Sequence, residues 1–360
     1  MHEAADRART LRAGQGRPGI ALWLGLLLGA LLAARPAVAE DLKVHLEGVV
    51  ADKLPFLKTY VTIVDGDGKP VRANNGYKLH IDQVEQKDLT VQFQPFAESK
   101  EPMDVVMVVQ LSPVMEPAIR HVRDGIQKLA KALAKGNAES KLAIIGYASE
   151  VKRLEDLNRP NEVARDLEKL QIEQDASEVR MVEAVRVAID LAREHGDRRR
   201  RVILFSDGID ANQGKEAYAD VGRKAQQAGV VLDSIGFAPF EPGRLRSVIE
   251  ISRISGGTAR RCRTAEDVPA NFAQVTDGLF STAIVTFGLT TSGDNAQHAF
   301  QVSYHSGRED LLSEPLQLQL PPFEPADPAG HGWLFWVGVV GGGLLGIIIL
   351  LFIIGKIMGG

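Results

Sequence analysis

Met103-Asp104-Val105-Val106-Met107-Val108-Val109-Gln110-Leu111-Ser112-Pro113-Val114-Met115 is the stretch that decides the fold. Val105 to Val109 is an unbroken apolar run whose β-branched content and length suit a strand buried on both faces, as in a parallel sheet. The run stops at Gln110, and Ser112-Pro113 turns the chain toward a helix. Parallel sheets place their binding chemistry in the loops at the carboxyl ends of such strands.

Downstream, the hydrophobic period alternates between strand and helix. Ile119, Val122, Ile126, Leu129 and Leu133 recur at three- and four-residue spacing, which puts them on one helical stripe. Lys141 to Tyr147 reads as a second buried strand, Val151 to Leu157 as a short edge strand, and Asn161 to Leu170 and Arg180 to His195 as helices. Val202 to Phe205, Val230 to Phe237 and Thr258 to Thr264 are further strands. Lys215 to Ala228, Leu245 to Ile254 and Pro269 to Phe280 are helices. This order predicts an α/β fold: a doubly wound, mostly parallel sheet with helices on both faces, over residues 101–282.

On either side the pattern becomes period two. Leu42, Val44 and Leu46, then Leu79 and Ile81, then Leu89, Val91 and Phe93 alternate with polar residues. Asp65-Gly66-Asp67-Gly68 suits a tight turn, since it lacks the further ligands and closing Glu of a calcium hand. Ile284 to Leu289, Ala299 to Tyr304 and the alternating Leu316, Leu318 and Leu320 supply three more strands, too few for a stable sandwich alone. Residues 40–100 and 283–322 are therefore expected to form one β-sandwich interrupted by the α/β domain.

The ends read as targeting and membrane segments. Residues 1–39 carry four arginines before an apolar core from Ile20 to Ala34, and Ala37-Val38-Ala39 offers a peptidase its small residues, the pattern of a secretory signal. After a Pro- and Gly-rich linker at 323–332, Trp333 to Ile354 has no charged side chain and is long enough to span a bilayer, giving a transmembrane helix over 333–356. Gly338, Gly342 and Gly346 recur every fourth residue on it, a stripe that permits close packing with a copy or with another membrane subunit. The expected protein is exported and single-pass; in a two-membrane bacterium it sits in the inner membrane with its bulk in the periplasm.

A formal charge of -4 argues against nucleic-acid binding. The lone Cys262 excludes an intrachain disulfide and suits a buried structural thiol. None of the 8 histidines has paired-ligand spacing, and no nucleophile elbow, phosphate loop or dinucleotide fingerprint occurs, so the chain does not read as an enzyme. Asp197-Arg198-Arg199-Arg200-Arg201 reads either as a solvated loop before a strand or as a patch that attracts anionic lipid, polysaccharide or an acidic partner. Glu183, Glu194 and Asp210 read as solvated or turn carboxylates.

The strand ending at Gln110 to Met115, the helix after it, and Val202-Ile203-Leu204-Phe205-Ser206-Asp207-Gly208-Ile209-Asp210 together resemble a von Willebrand factor type A domain. In that family a divalent ion is held by a DxSxS turn, a later threonine and an aspartate after the fourth strand. Laid on this sequence, the resemblance places the first aspartate at Gln110, the serines at Ser112 and Val114, the threonine at Val179 beside Arg180, and the last aspartate at Asp207. So few oxygen donors offset the dehydration of Mg²⁺ poorly, so no metal cofactor is expected. Arg180 is expected to pair with Asp207 in its stead. The resemblance implies a membrane-anchored scaffold that binds a protein partner through these loops. The alternatives are a metal-dependent adhesin or receptor, and an accessory subunit of a membrane transport or envelope-assembly complex.

Overall fold

The structure, a computed structural model, describes residues 42–324 except 67, 177, 196, 197, 212 and 213. The signal segment, the transmembrane helix and Gly338, Gly342 and Gly346 lie outside the described residues. Among the described residues no helix is long and apolar enough to cross a membrane.

Two β-strands open the chain, β1 (Lys43–Lys53) and β2 (Phe56–Val64), followed by β3 (Pro70–Val71), β4 (Tyr77–Ile81), β5 (Val84–Glu85) and β6 (Thr90–Pro95). A single turn of helix, α1 (Phe96–Ser99), leads into the α/β region. There β7 (Met103–Gln110), α2 (Ile119–Gly136), β8 (Lys141–Tyr147), β9 (Val151–Asn158), α3 (Pro160–Val163), α4 (Met181–Ala192), β10 (Arg199–Ser206), α5 (Lys215–Gln227), β11 (Val230–Phe237), α6 (Arg246–Ile254), β12 (Ala259–Cys262) and α7 (Val268–Ser281) follow in order. Four strands close the described chain: β13 (Ala283–Gly288), β14 (Gln297–His305), β15 (Asp310–Leu312) and β16 (Leu316–Gln319).

The α/β sheet has six strands in the order β12-β11-β10-β7-β8-β9. Its pairs are parallel except β8 with β9, whose edge strand runs antiparallel. Every residue of β7 is buried, which is why its sequence shows no polar alternation. Its side chains divide by parity: Val105, Met107 and Val109 join the core under α2 and α7, and Val106 and Val108 join the core under α4. Gly125 lets α2 and α7 touch, since a Cβ there would stand 2.4 Å from the Phe272 ring.

The segment from 161 to 170 departs from the single helix expected. It forms α3, then turns through Ala164 to Asp166 into a short 3-10 turn at Leu167–Lys169. Val163, Leu167 and Leu170 all enter the core beneath α2, and Arg123 on α2 donates to the Leu170 carbonyl at 2.6 Å. Bending the segment is what brings all three apolar side chains to that one surface.

The remaining strands form two five-stranded sheets, one following β1-β2-β13-β6 with β3 beside β2, the other β15-β14-β4-β5 with β16 beside β14. Leu57, Val61, Ile63, Leu79, Val285, Phe287, Phe300 and Val302 fill one apolar layer between them. β13 returns between β2 and β6, so its position depends on strands far earlier in the chain.

The arginine run that opens β10 is neither a solvated loop nor a surface patch. Arg199 and Arg201 are buried, and they meet Glu47, which the β-bulge between Leu46 and Gly48 leaves unpaired on β1. Arg199 donates to Glu47 at 2.6 Å and to Thr282 Oγ1 at 2.6 Å, with its guanidinium 4.4 Å over the Phe96 ring. Arg201 lies 2.9 Å from the same carboxylate and donates to Asp233 at 2.6 Å. Thr62 donates to Glu47 at 2.6 Å, and Asp233 also accepts from Thr258 N–H and hydroxyl at 2.9 and 2.8 Å. Two carboxylates thus face two guanidiniums, with sandwich on one side and α/β sheet on the other.

Burial alone would raise the Glu47 carboxyl, but Arg201 and Arg199 outweigh it and hold the pKa down at about 2. The unfolded value is near 4.5, so the stabilisation is complete above that pH and is lost as pH falls from there toward 2. Equilibrium urea unfolding should show this acid limb in the native protein and its loss in Glu47→Gln. At neutral pH the same substitution should cost about 3 to 5 kcal/mol, because it strands buried guanidinium charge.

Candidate functional site

At the opposite ends of the parallel strands from the Glu47 cluster, about 20 Å up an eight-residue strand, β7 and β10 finish side by side. Gln110 and Ser206 close these strands, and both are fully buried. The Gln110 carboxamide donates from Nε2 to Ser112 Oγ at 2.7 Å, while its Oε1 accepts from Ser206 Oγ and from the Asp207 N–H, each at 3.0 Å. The Tyr147 hydroxyl points at the same oxygen from 3.4 Å. One neutral side chain therefore satisfies both strand ends, its amide supplying a donor at Nε2 and an acceptor at Oε1.

Asp207 is buried beside it and accepts from the Ile209 N–H at 3.0 Å. Burial raises its pKa, and the bonds from Ile209 and Gln110 and the more distant charge of Arg244 offset only part of that rise. Gly208 is required twice over: its φ is +83°, and a Cβ there would stand 2.3 Å from the Arg244 carbonyl. The loop after β11 packs against this glycine, and Ser247 Oγ donates to its carbonyl at 2.7 Å. Phe240, at the crest of that loop, is 87% exposed.

Of the residues singled out from the sequence, Gln110, Ser112 and Asp207 converge. Val179 is buried and contributes its backbone, its carbonyl accepting from Ala211 N–H at 3.0 Å. Val114 is half-buried on the 3-10 turn after β7. Arg180 does not pair with Asp207; its side chain is exposed and lies 3.4 Å from Glu183, one helical turn on. A solvated partner costs a guanidinium less than entry into a buried pocket whose carboxylate already has a backbone donor. Asp210, expected as a turn carboxylate, accepts from Val182 N–H at 2.7 Å and so caps the first turn of α4 from a neighbouring loop.

Ser206 and Tyr147 belong to the site and were missed. Ser206 carried a signal, a polar residue ending an apolar strand, whereas nothing local marks Tyr147 as a neighbour of Gln110. The donor set does not fit a divalent cation. Gln110 and Ser112 are committed to each other and to the strand ends, Asp207 is the single carboxylate of the knot, and burial disfavours its charge. Among the described residues no group of three or more His, Cys, Asp or Glu side chains is placed to hold a metal.

Replacing Gln110 by Leu should leave Ser206 Oγ and the Asp207 N–H without their acceptor, a loss of about 1 to 3 kcal/mol in denaturant unfolding. Asp207→Asn keeps an oxygen for the Ile209 N–H and removes a buried charge. Its unfolding midpoint at neutral pH should equal or exceed that of the native protein.

Residues 104–278 match the family model for the von Willebrand factor type A domain. No curated protein matches the chain. Among solved structures, protein BatB from Bacteroides thetaiotaomicron is 15% identical with a TM-score of 0.39, covering 49% of this chain and 98% of its own. The von Willebrand domain of the type V pilus tip protein Mfa5 from Porphyromonas gingivalis is 11% identical with a TM-score of 0.42, covering 50% and 95%. A von Willebrand factor type A protein from Catenulispora acidiphila is 10% identical with a TM-score of 0.42, covering 78% and 74%. The central half of this chain, from Asp104 to Gly278, is a von Willebrand factor type A domain.

Proposed function

We propose that this chain is a non-enzymatic binding protein, exported and anchored in a membrane by its C-terminal apolar segment, that recognises a protein partner without a metal ion. The contact surface is the set of loops at the C-terminal ends of β7, β10 and β11, and the α/β domain at 101–282 is inserted in a β-sandwich that presents it. The observation that carries this reading is the Gln110 carboxamide. It closes an internal hydrogen-bond knot where the family's ion would need a carboxylate, so the surface above it is built from side chains alone. Phe240 stands open on the same crown, and aromatic side chains, phenylalanine included, are enriched in protein interfaces relative to the rest of the surface.

Titration calorimetry with MgCl₂ should give no binding heat for the native chain, and the combined change Gln110→Asp, Val114→Ser and Val179→Thr should introduce it. A photoreactive side chain placed at Pro113 should capture the partner equally with and without EDTA, and one placed at Ala138, on the opposite end of the domain, should not. Loss of capture in EDTA, or equal capture from both ends, would overturn the reading.

A further inference from the structure

Val84 and Val91 are 62% and 45% exposed, and both lie on the same edge of the sandwich. β6 ends the first sheet and β5 ends the second. Tyr77 of β4 stacks on Phe93 of β6 with ring centroids 5.9 Å apart, so β6 runs above the β4–β5 side of the second sheet. Val91 shares its strand face with Leu89 and Phe93, which pack into the inter-sheet layer. Val84 is in register with the core residue Ile81 and shares its face. Both valines are therefore turned toward the apolar layer yet left open to water: among the described strands, the seam between the sheets is one strand short at this edge.

The edge itself lacks the usual guards. Natural edge strands are blunted by charge, proline or a bulge. Thr90-Val91-Gln92-Phe93-Gln94 has no charged residue and pairs with β13 without a register shift, and proline comes only at its last position, Pro95. Among the described strands β6 has a neighbour on one side only. The segment that fits its open side is uncharged and alternates apolar with polar residues, and β6 itself has that pattern. An antiparallel pairing about a two-fold axis through Gln92 sets Val91 opposite Phe93 of a second copy on the core side. It sets Thr90 opposite Gln94 and Gln92 opposite its own counterpart on the outer side. Apolar meets apolar, amide meets hydroxyl or amide, and no like charges face each other.

The geometry points to a second copy of this chain as the occupant: two protomers join β6 to β6, carrying one sheet across both and covering Val91 and Val84 of each. The antiparallel axis sends the two α/β domains to opposite ends of the joint sheet and leaves the loops around Gln110 free in both. This pairing stands independently of what those loops bind.

The test is cross-linking of the full-length chain carrying Gln92→Cys. Facing residues of an antiparallel pair have Cα atoms about 4.5 to 5.5 Å apart, a separation that a disulfide spans, and the native Cys262 is buried and does not compete. Mild oxidation should give a covalent dimer, seen as a doubled mass on a non-reducing gel and lost on reduction. Adding Val91→Lys, which places charge in the seam at a position exposed in the single protomer, should lower the dimer yield by about tenfold. A thiol placed instead at the exposed Ala138 should give none. A chain that stays monomeric with Gln92→Cys, a dimer undiminished by Val91→Lys, or a cross-link to a different protein at this position would each overturn the proposal.

Discussion

The buried charge cluster of Glu47, Arg199, Arg201 and Asp233 is the constraint on which the rest of the molecule depends. Taking four ionised groups out of water costs several kcal/mol each unless every one finds a partner of good geometry. Each of the four does: both arginines reach Glu47, and Arg201 also reaches Asp233. The cluster is satisfied only when the bulge of β1 meets the start of β10, which fixes one docking of sandwich and α/β domain. Arg260 adds a weaker tie of the same kind, donating from β12 to the Gly68 carbonyl of the β2–β3 turn at 2.8 Å. The lower end of the α/β sheet is thereby committed to the sandwich.

That division was half legible from the chain. The fully buried β7, the stripe of α2 and the order of the α/β elements follow from hydrophobic period, because each is settled within about ten residues of sequence. Asp207-Gly208 was likewise readable as a strand-ending turn, and φ at Gly208 shows why no other residue serves. The meaning of Arg199 and Arg201 was not readable. Their partner lies some 150 residues upstream, aimed by a bulge that leaves no local mark, so a basic run that is half buried looks the same as one that is solvated. One clue existed in retrospect: the side chains at 199, 201, 203 and 205 share one face of β10, so the arginines continue the line of Ile203 and Phe205 into the interior.

At the upper site a neutral side chain, the Gln110 carboxamide, holds the strand ends together. An acid at position 110 would lack the Nε2 donor that Gln110 gives to Ser112 and would stand beside a second buried carboxylate. The amide removes both difficulties and ties the ends of β7 and β10 directly. The expected Arg180–Asp207 pair rested on charge balance alone; Arg180 instead faces the solvated Glu183, and the Ile209 N–H serves the Asp207 oxygen.

The chain leaves the sandwich at Pro95 and re-enters at Ala283, and these two residues are opposite each other on adjacent antiparallel strands, with Phe96 N–H bonded to the Thr282 carbonyl at 2.9 Å. The inserted domain therefore hangs from two cords fastened together at the point of exit. A tug on the crown is divided between β6 and β13 and draws both the same way, so it is resisted in shear by the ladder that β13 makes with β2.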